Sequence, residues 1–137
     1  MCVADLFDGC GGVAQAVRRR DVQGRVWDIV WGPVYELLQR SVRKTIAREV
    51  EAGRLIAAML APPCTTFSIA QRGALRSLEC PWGFPKLPPD KQAKVLMGNR
   101  LARCALQLAR FFHAKGIHWI IEHPATSTCG AARRLWL

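Results

Sequence analysis

Apolar positions along the chain alternate between short unbroken runs and segments of helical spacing. Cys2-Val3-Ala4-Asp5-Leu6-Phe7 reads as a short buried strand that runs directly into Asp8-Gly9-Cys10-Gly11-Gly12. A helix carrying Val13, Ala16 and Val17 follows, giving a strand, Gly-rich turn, helix unit. Arg25 to Val30 is a second apolar stretch closed by Gly32-Pro33. Proline suits the first turn of a helix, where its missing N–H has no partner to lose, so the next helix is expected to begin at Pro33. Val34, Leu38, Val42, Ile46 and Val50 recur every four residues with Leu37 beside them. Arg40, Lys44, Arg48 and Glu51 take other faces and Gly53 supplies a stop, the pattern of an amphipathic helix.

Leu55 to Leu60 is continuously apolar and ends at Ala61-Pro62-Pro63-Cys64, as expected of a strand covered on both faces and terminated by prolines. Thr65 to Pro89 is rich in Gly and Pro and reads as a long loop. Asp90 is placed to cap a helix carrying Ala93, Leu96, Met97, Leu101, Ala105, Leu108, Phe111 and Phe112, interrupted at Gly98-Asn99 and stopped near Gly116. Ile117 to Ile121 is the last strand and ends at Glu122-His123-Pro124. Strands alternating with helices predict an α/β fold with a parallel sheet, small or incomplete, whose ligands bind beyond the carboxyl ends of the strands. The Gly-rich turn, Cys64 and Glu122 all fall at such ends.

A length of 137 residues suits one domain with its own core, and half the residues are apolar. Twenty Lys and Arg against ten Asp and Glu leave a net charge of +10, which favours a polyanionic partner such as nucleic acid. The basic residues are spread along the chain, so the excess also reads simply as solubilising charge. Six cysteines without a Cys-x-x-Cys pair argue against a zinc site. With no leader at Met1 and no apolar run long enough to span a bilayer, a reducing compartment, nucleus or cytoplasm, is expected.

The turn Asp5-Leu6-Phe7-Asp8-Gly9-Cys10-Gly11-Gly12 leaves the backbone open to close approach by a ligand, and a plain tight turn is the competing explanation. Its pattern, Asp-Leu-Phe-x-Gly-x-Gly-Gly, resembles the first motif of the DNA cytosine carbon-5 methyltransferases. That resemblance implies a Rossmann-like sheet binding S-adenosylmethionine, with Phe7 on the adenine and Asp8, Gly9, Cys10, Gly11 and Gly12 lining the cofactor. Asp8 stands where the family has a small residue, so it either binds the cationic ligand or caps the next helix. Asp28 resembles the family's acceptor for the ribose hydroxyls, with Asp21 and Glu36 as nearby alternatives and an ordinary turn role as the competing reading.

Pro62-Pro63-Cys64-Thr65-Thr66-Phe67-Ser68 resembles the family's Pro-Cys motif, which implies that Cys64 is the nucleophile and Pro63 a cofactor contact. A thiolate suits this chemistry, since cytosine carbon 5 is a poor nucleophile until a soft nucleophile adds at carbon 6. Ile121-Glu122-His123-Pro124 resembles the family's Glu-Asn-Val motif, in which Glu122 would hold a proton against cytosine nitrogen 3. His123 and Pro124 replace the usual Asn and Val. The family's Gln-x-Arg-x-Arg segment, target-recognition domain and closing motif have no counterpart through Leu137. Two function classes therefore stand: a cytosine carbon-5 methyltransferase acting on DNA, or a non-catalytic relative that binds nucleic acid or a partner.

Overall fold

The computed structural model describes residues 1–68, 73–77 and 79–123. Pro124, Cys129, Ser127 and Leu135-Trp136 lie outside these residues. Two compact units divide the chain: Met1–Pro62 with Arg103–Glu122, and Pro63–Ala102 with the segment from His123.

The first unit is an α/β sheet of four parallel strands, β1 (Cys2–Leu6), β2 (Gln23–Trp27), β3 (Leu55–Leu60) and β4 (His118–Ile121), in the order β2-β1-β3-β4. β1 is central, which is why its apolar run carries so little alternation: Cys2, Ala4, Asp5 and Leu6 are all buried. The chain winds from β1 to one side and returns to the other, so strand order reverses between β1 and β3. In open parallel sheets that reversal opens a crevice outside the carboxyl ends of the strands.

Helix α1 (Gly12–Arg18) packs against β1 and β2. Gly24 on β2 makes this approach possible, because a Cβ there would stand 2.5 Å from the Ala14 carbonyl oxygen. Helix α2 (Arg40–Glu51) buries Val42, Ile46 and Val50 and leads through Gly53, at φ 65°, into β3. Glu49 at its end pairs with Arg54 (2.9 Å) and Arg25 of β2 (2.8 Å), an ion triad that joins α2, the α2–β3 turn and an edge strand. Helix α3 (Pro89–Ala114) contributes Cys104, Ala105, Leu108, Ala109 and Phe112 to the buried residues of this unit.

Three boundaries differ from the sequence expectation. The helix expected to start at Pro33 starts at Arg40; Ile29–Trp31 and Pro33–Tyr35 form separate single turns of 3-10 helix. Leu37 is the residue that turns inward, whereas Val34 is 72% exposed, so the four-residue spacing does not continue through this segment. Side chains take the carbonyls a longer helix would use: Gln39 donates to the Pro33 oxygen and Arg43 to those of Leu37 and Leu38. The second strand ends at Trp27 because Asp28 caps the turn after it. Helix α3 begins at Pro89, with Asp90 in its first turn, and continues unbroken through Gly98-Asn99. Among the described residues no helix is long and apolar enough to cross a membrane.

The second unit holds the Pro63–Pro88 segment, which contains no helix or strand among its described residues, and the first half of α3. Among its described residues the buried side chains are Phe67, Leu75 and Val95 together with two polar residues, Arg76 and Asn99.

Candidate functional site

At the carboxyl end of β1 the chain leaves the sheet abruptly. Phe7 takes φ 66°, in the left-handed region, a conformation costing a bulky L-residue about 1–2 kcal/mol. The residue is buried, 9% exposed. Gly9 (φ 59°) and Gly11 (φ 70°) complete the turn. Gly11 is closed in by Val26, 2.8 Å from where a Cβ would stand, whereas the corresponding position at Gly9 has no atom within 4 Å. Gly9 is the open point of the turn.

Three acids surround this turn. Asp28, just past β2, accepts from the Gly9 N–H (3.0 Å) with one carboxylate oxygen and from the Val30 N–H (2.8 Å) with the other. The capping role is thus occupied, while each oxygen keeps a second acceptor direction. Asp8 accepts from the Gly12 N–H and so caps α1. Asp5, fully buried, accepts from the Ala14 N–H (2.8 Å) with one oxygen, and the other has no hydrogen-bond partner. Burial pushes the Asp5 carboxyl above its ordinary range, the Ala14 N–H pulls it back, and the neighbouring Asp8 charge pushes it further up.

The Trp31 indole N–H donates to the Gly9 carbonyl (2.7 Å), laying an exposed aromatic side chain beside the turn. Ile29, Val30, Val34 and Tyr35 are exposed nearby in sequence, so the segment after β2 presents an apolar surface. The sequence placed Ile29 and Val30 in the second apolar stretch and Val34 on the apolar face of a helix. Their exposure follows from the two 3-10 turns that replace a continuous strand and helix.

β3 ends at Leu60, and the Ala61 N–H still bonds to Leu6 (2.9 Å) before the chain leaves the sheet. Four residues on, half-buried Cys64 opens a turn whose carbonyl accepts from the N–H groups of Phe67 (2.8 Å) and Ser68 (3.0 Å). Its thiol is free. Pro63 is exposed and lines, with Thr65, Thr66, Lys94, Met97, Gly98 and Leu101, a cavity of about 310 Å³ within the second unit. Glu122 follows β4; its N–H bonds to the Leu60 carbonyl (2.9 Å), and the residue is exposed. His123 meets the Phe67 ring edge to face, centroids 5.5 Å apart.

No protein-family model, curated protein or solved structure matches this chain.

Within the first unit, the turn residues Phe7 to Gly12 and Asp28 are brought together by direct hydrogen bonds. A different concavity, about 360 Å³ and lined by Arg18, Asp21 and Arg25 among others, lies at the amino-terminal end of β2. Of these two cavities among the described residues it is the larger; of the residues expected at the site it holds only Asp21, the alternative to Asp28, and Arg18 there is engaged with the Gly24 carbonyl. Sequence reasoning missed Trp31, the buried Asp5 and the buried Arg76. An acid inside an apolar strand was the available signal for Asp5; a lone Arg in a Gly- and Pro-rich loop gave none.

Proposed function

We propose that this chain is an S-adenosylmethionine-dependent methyltransferase acting on carbon 5 of cytosine in DNA, with Cys64 as nucleophile. One observation carries the reading. The two strands flanking the reversal of strand order, β1 and β3, continue respectively into the Phe7–Gly12 turn tied to Asp28 and into the Pro62-Pro63-Cys64 segment.

A ribonucleoside cofactor fits the turn: the backbone is open at Gly9, and Asp28 has acceptor directions left for vicinal hydroxyls. Asp8, though it caps α1, supplies negative charge suited to a cationic ligand. The exposed Trp31 offers a flat apolar surface beside Gly9. Phe7 is buried and takes φ 66°, so its contribution is to shape the turn more than to present a face.

In the reaction, the Cys64 sulfur loses its proton and bonds to cytosine carbon 6. The electron pair of the 5,6 double bond becomes available at carbon 5. S-adenosylmethionine, when bound, would supply an electrophilic methyl group to that carbon, the broken carbon–sulfur bond leaving its electron pair on a neutral thioether. Glu122 holds a proton at nitrogen 3, so that negative charge does not accumulate on the ring during addition. Loss of the carbon 5 proton to solvent and departure of the Cys64 sulfur restore the aromatic ring. The net charge of +10 favours a polyanionic substrate.

The test is transfer of labelled methyl groups to cytosine-containing DNA by the wild-type chain and by Cys64→Ser and Cys64→Ala, with calorimetry of S-adenosylmethionine binding. Cofactor binding with transfer reduced at least roughly a thousandfold in both variants is expected. Transfer unaffected by the substitutions, or no cofactor binding by the wild-type chain, defeats the reading.

A further inference from the structure

Hydrogen bonding in the second unit converges on one side chain. Arg76 is 2% exposed, and its guanidinium uses all five N–H groups. Nε donates to the Thr66 carbonyl (2.9 Å), one amino group to the Pro81 carbonyl (2.8 Å) and Asn99 Oδ1 (2.7 Å), and the other to Thr66 Oγ1 (2.9 Å) and the Val95 carbonyl (3.1 Å). The guanidinium carbon also lies 3.7 Å from the centroid of the Phe67 ring, a cation–π contact.

Thr66 and Phe67 belong to the turn that Cys64 opens. Two bonds to Thr66, one to its main chain and one to its hydroxyl, restrict both the peptide plane and the side-chain rotamer. Phe67 is fixed by stacking and by its N–H on the Cys64 carbonyl. The planar fork makes this arrangement specific, since an ammonium has neither five donors nor a face to stack.

Helix α3 is built to receive the fork. A Cβ at Gly98 would stand 2.5 Å from Thr66 Oγ1 and 3.3 Å from an Arg76 amino nitrogen, so the small residue inside an unbroken helix marks a close approach. Asn99, buried beside it, accepts from Arg76 and donates its Nδ2 to the Trp82 carbonyl (2.9 Å), holding the loop on both sides.

We infer that Arg76, seated by Gly98 and Asn99, is the positioning residue that fixes the turn carrying Cys64. Its consequence for catalysis rests on the methyltransferase reading; the positioning itself does not. The fork holds the Cys64 thiol half-buried at the start of a rigid turn, so releasing one of its anchors exposes the sulfur.

The experiment is alkylation of the whole chain by iodoacetamide, followed residue by residue by peptide mass spectrometry. Exposed Cys10 is the reference for reagent reactivity and buried Cys104 the monitor of folding. Asn99→Leu, similar in volume but without an acceptor for Arg76, raises the Cys64 rate about tenfold with Cys104 still protected. Asn99→Asp keeps that acceptor and leaves the Cys64 rate within about twofold of wild type. A residue that merely fills space would give the opposite ordering or none. Equal Cys64 rates in the two variants, or a wild-type rate in Asn99→Leu, overturn the inference. Should Asn99→Leu also open Cys104, Thr66→Val decides: about a fivefold rise is expected from the loss of one anchor, and no rise overturns it. The expected alkylation pattern in a wild-type chain that transfers no methyl groups would sustain the positioning role and defeat the methyltransferase reading alone.

Discussion

The Gly9 N–H donates to Asp28 Oδ2 at 3.0 Å across nineteen residues of chain, fastening the turn after β1 to the end of β2. The same carboxylate caps the turn that presents Trp31. Asp28→Ala is therefore expected to lower stability by about 1–2 kcal/mol, one cap and one long-range bond together. Under the proposed function it also weakens S-adenosylmethionine binding more than about tenfold. Urea unfolding and calorimetry read the two effects separately, and binding that is unchanged in a folded variant removes Asp28 from the cofactor site.

Gly24 and Gly53 separate two reasons for glycine. At Gly24 an added methyl meets the Ala14 backbone, 2.5 Å from its oxygen and 2.6 Å from its Cα, and neither can swing aside. Gly24→Ala should destabilise the chain by roughly 1–3 kcal/mol by forcing α1 off the sheet. Gly53 has open space and φ 65°, so Gly53→Ala should cost only about 1 kcal/mol, through backbone strain. Equal losses in thermal unfolding would contradict this packing of α1 on β2.

Acid should loosen the junction of α2, β2 and β3. The hydrogen bond from Arg54 holds the Glu49 carboxyl below its ordinary range, with the Arg25 charge adding to it and burial opposing it. Because the folded-state value is depressed, the stabilisation is present above the unfolded value, about 4.3, and is lost as pH falls through the lower folded value. Urea midpoints measured from about pH 5 downward should fall more steeply for the wild type than for Glu49→Gln. Parallel curves would show that the triad contributes nothing to folding.

β1, β3 and β4 were legible in the sequence because each is a short apolar run with Asp, Pro or Glu just beyond it, whereas β2, which includes Gln23 and Arg25, was expected two residues late at its start and three late at its end. The start of α2 was not, since Pro33 suits a single 3-10 turn as well as an α-helix, and only the burial of Leu37 distinguishes the two. Gly98-Asn99 read as a break because glycine weakens a helix in isolation. Its place in α3 is explained by Thr66 and Arg76 lying against it. Arg76 itself had no signature: its acceptors, mostly main-chain carbonyls, stand five to twenty-three residues away, and no local pattern records them. Asp8 was open between two roles in the sequence, and the capping role is the one its hydrogen bond to Gly12 displays.

The most direct measurement of the central claim is the mass of the Cys64 peptide after incubation with S-adenosylmethionine and DNA containing 5-fluorocytosine. Fluorine at carbon 5 leaves no proton to be lost after methyl transfer, so the bond from sulfur to carbon 6 cannot be released. A nucleotide adduct on Cys64, dependent on the cofactor and absent from Cys64→Ser, is the predicted result. An unmodified Cys64 with a stable wild-type fold, or an adduct on Cys10 or another thiol, would contradict the assignment of Cys64 as nucleophile.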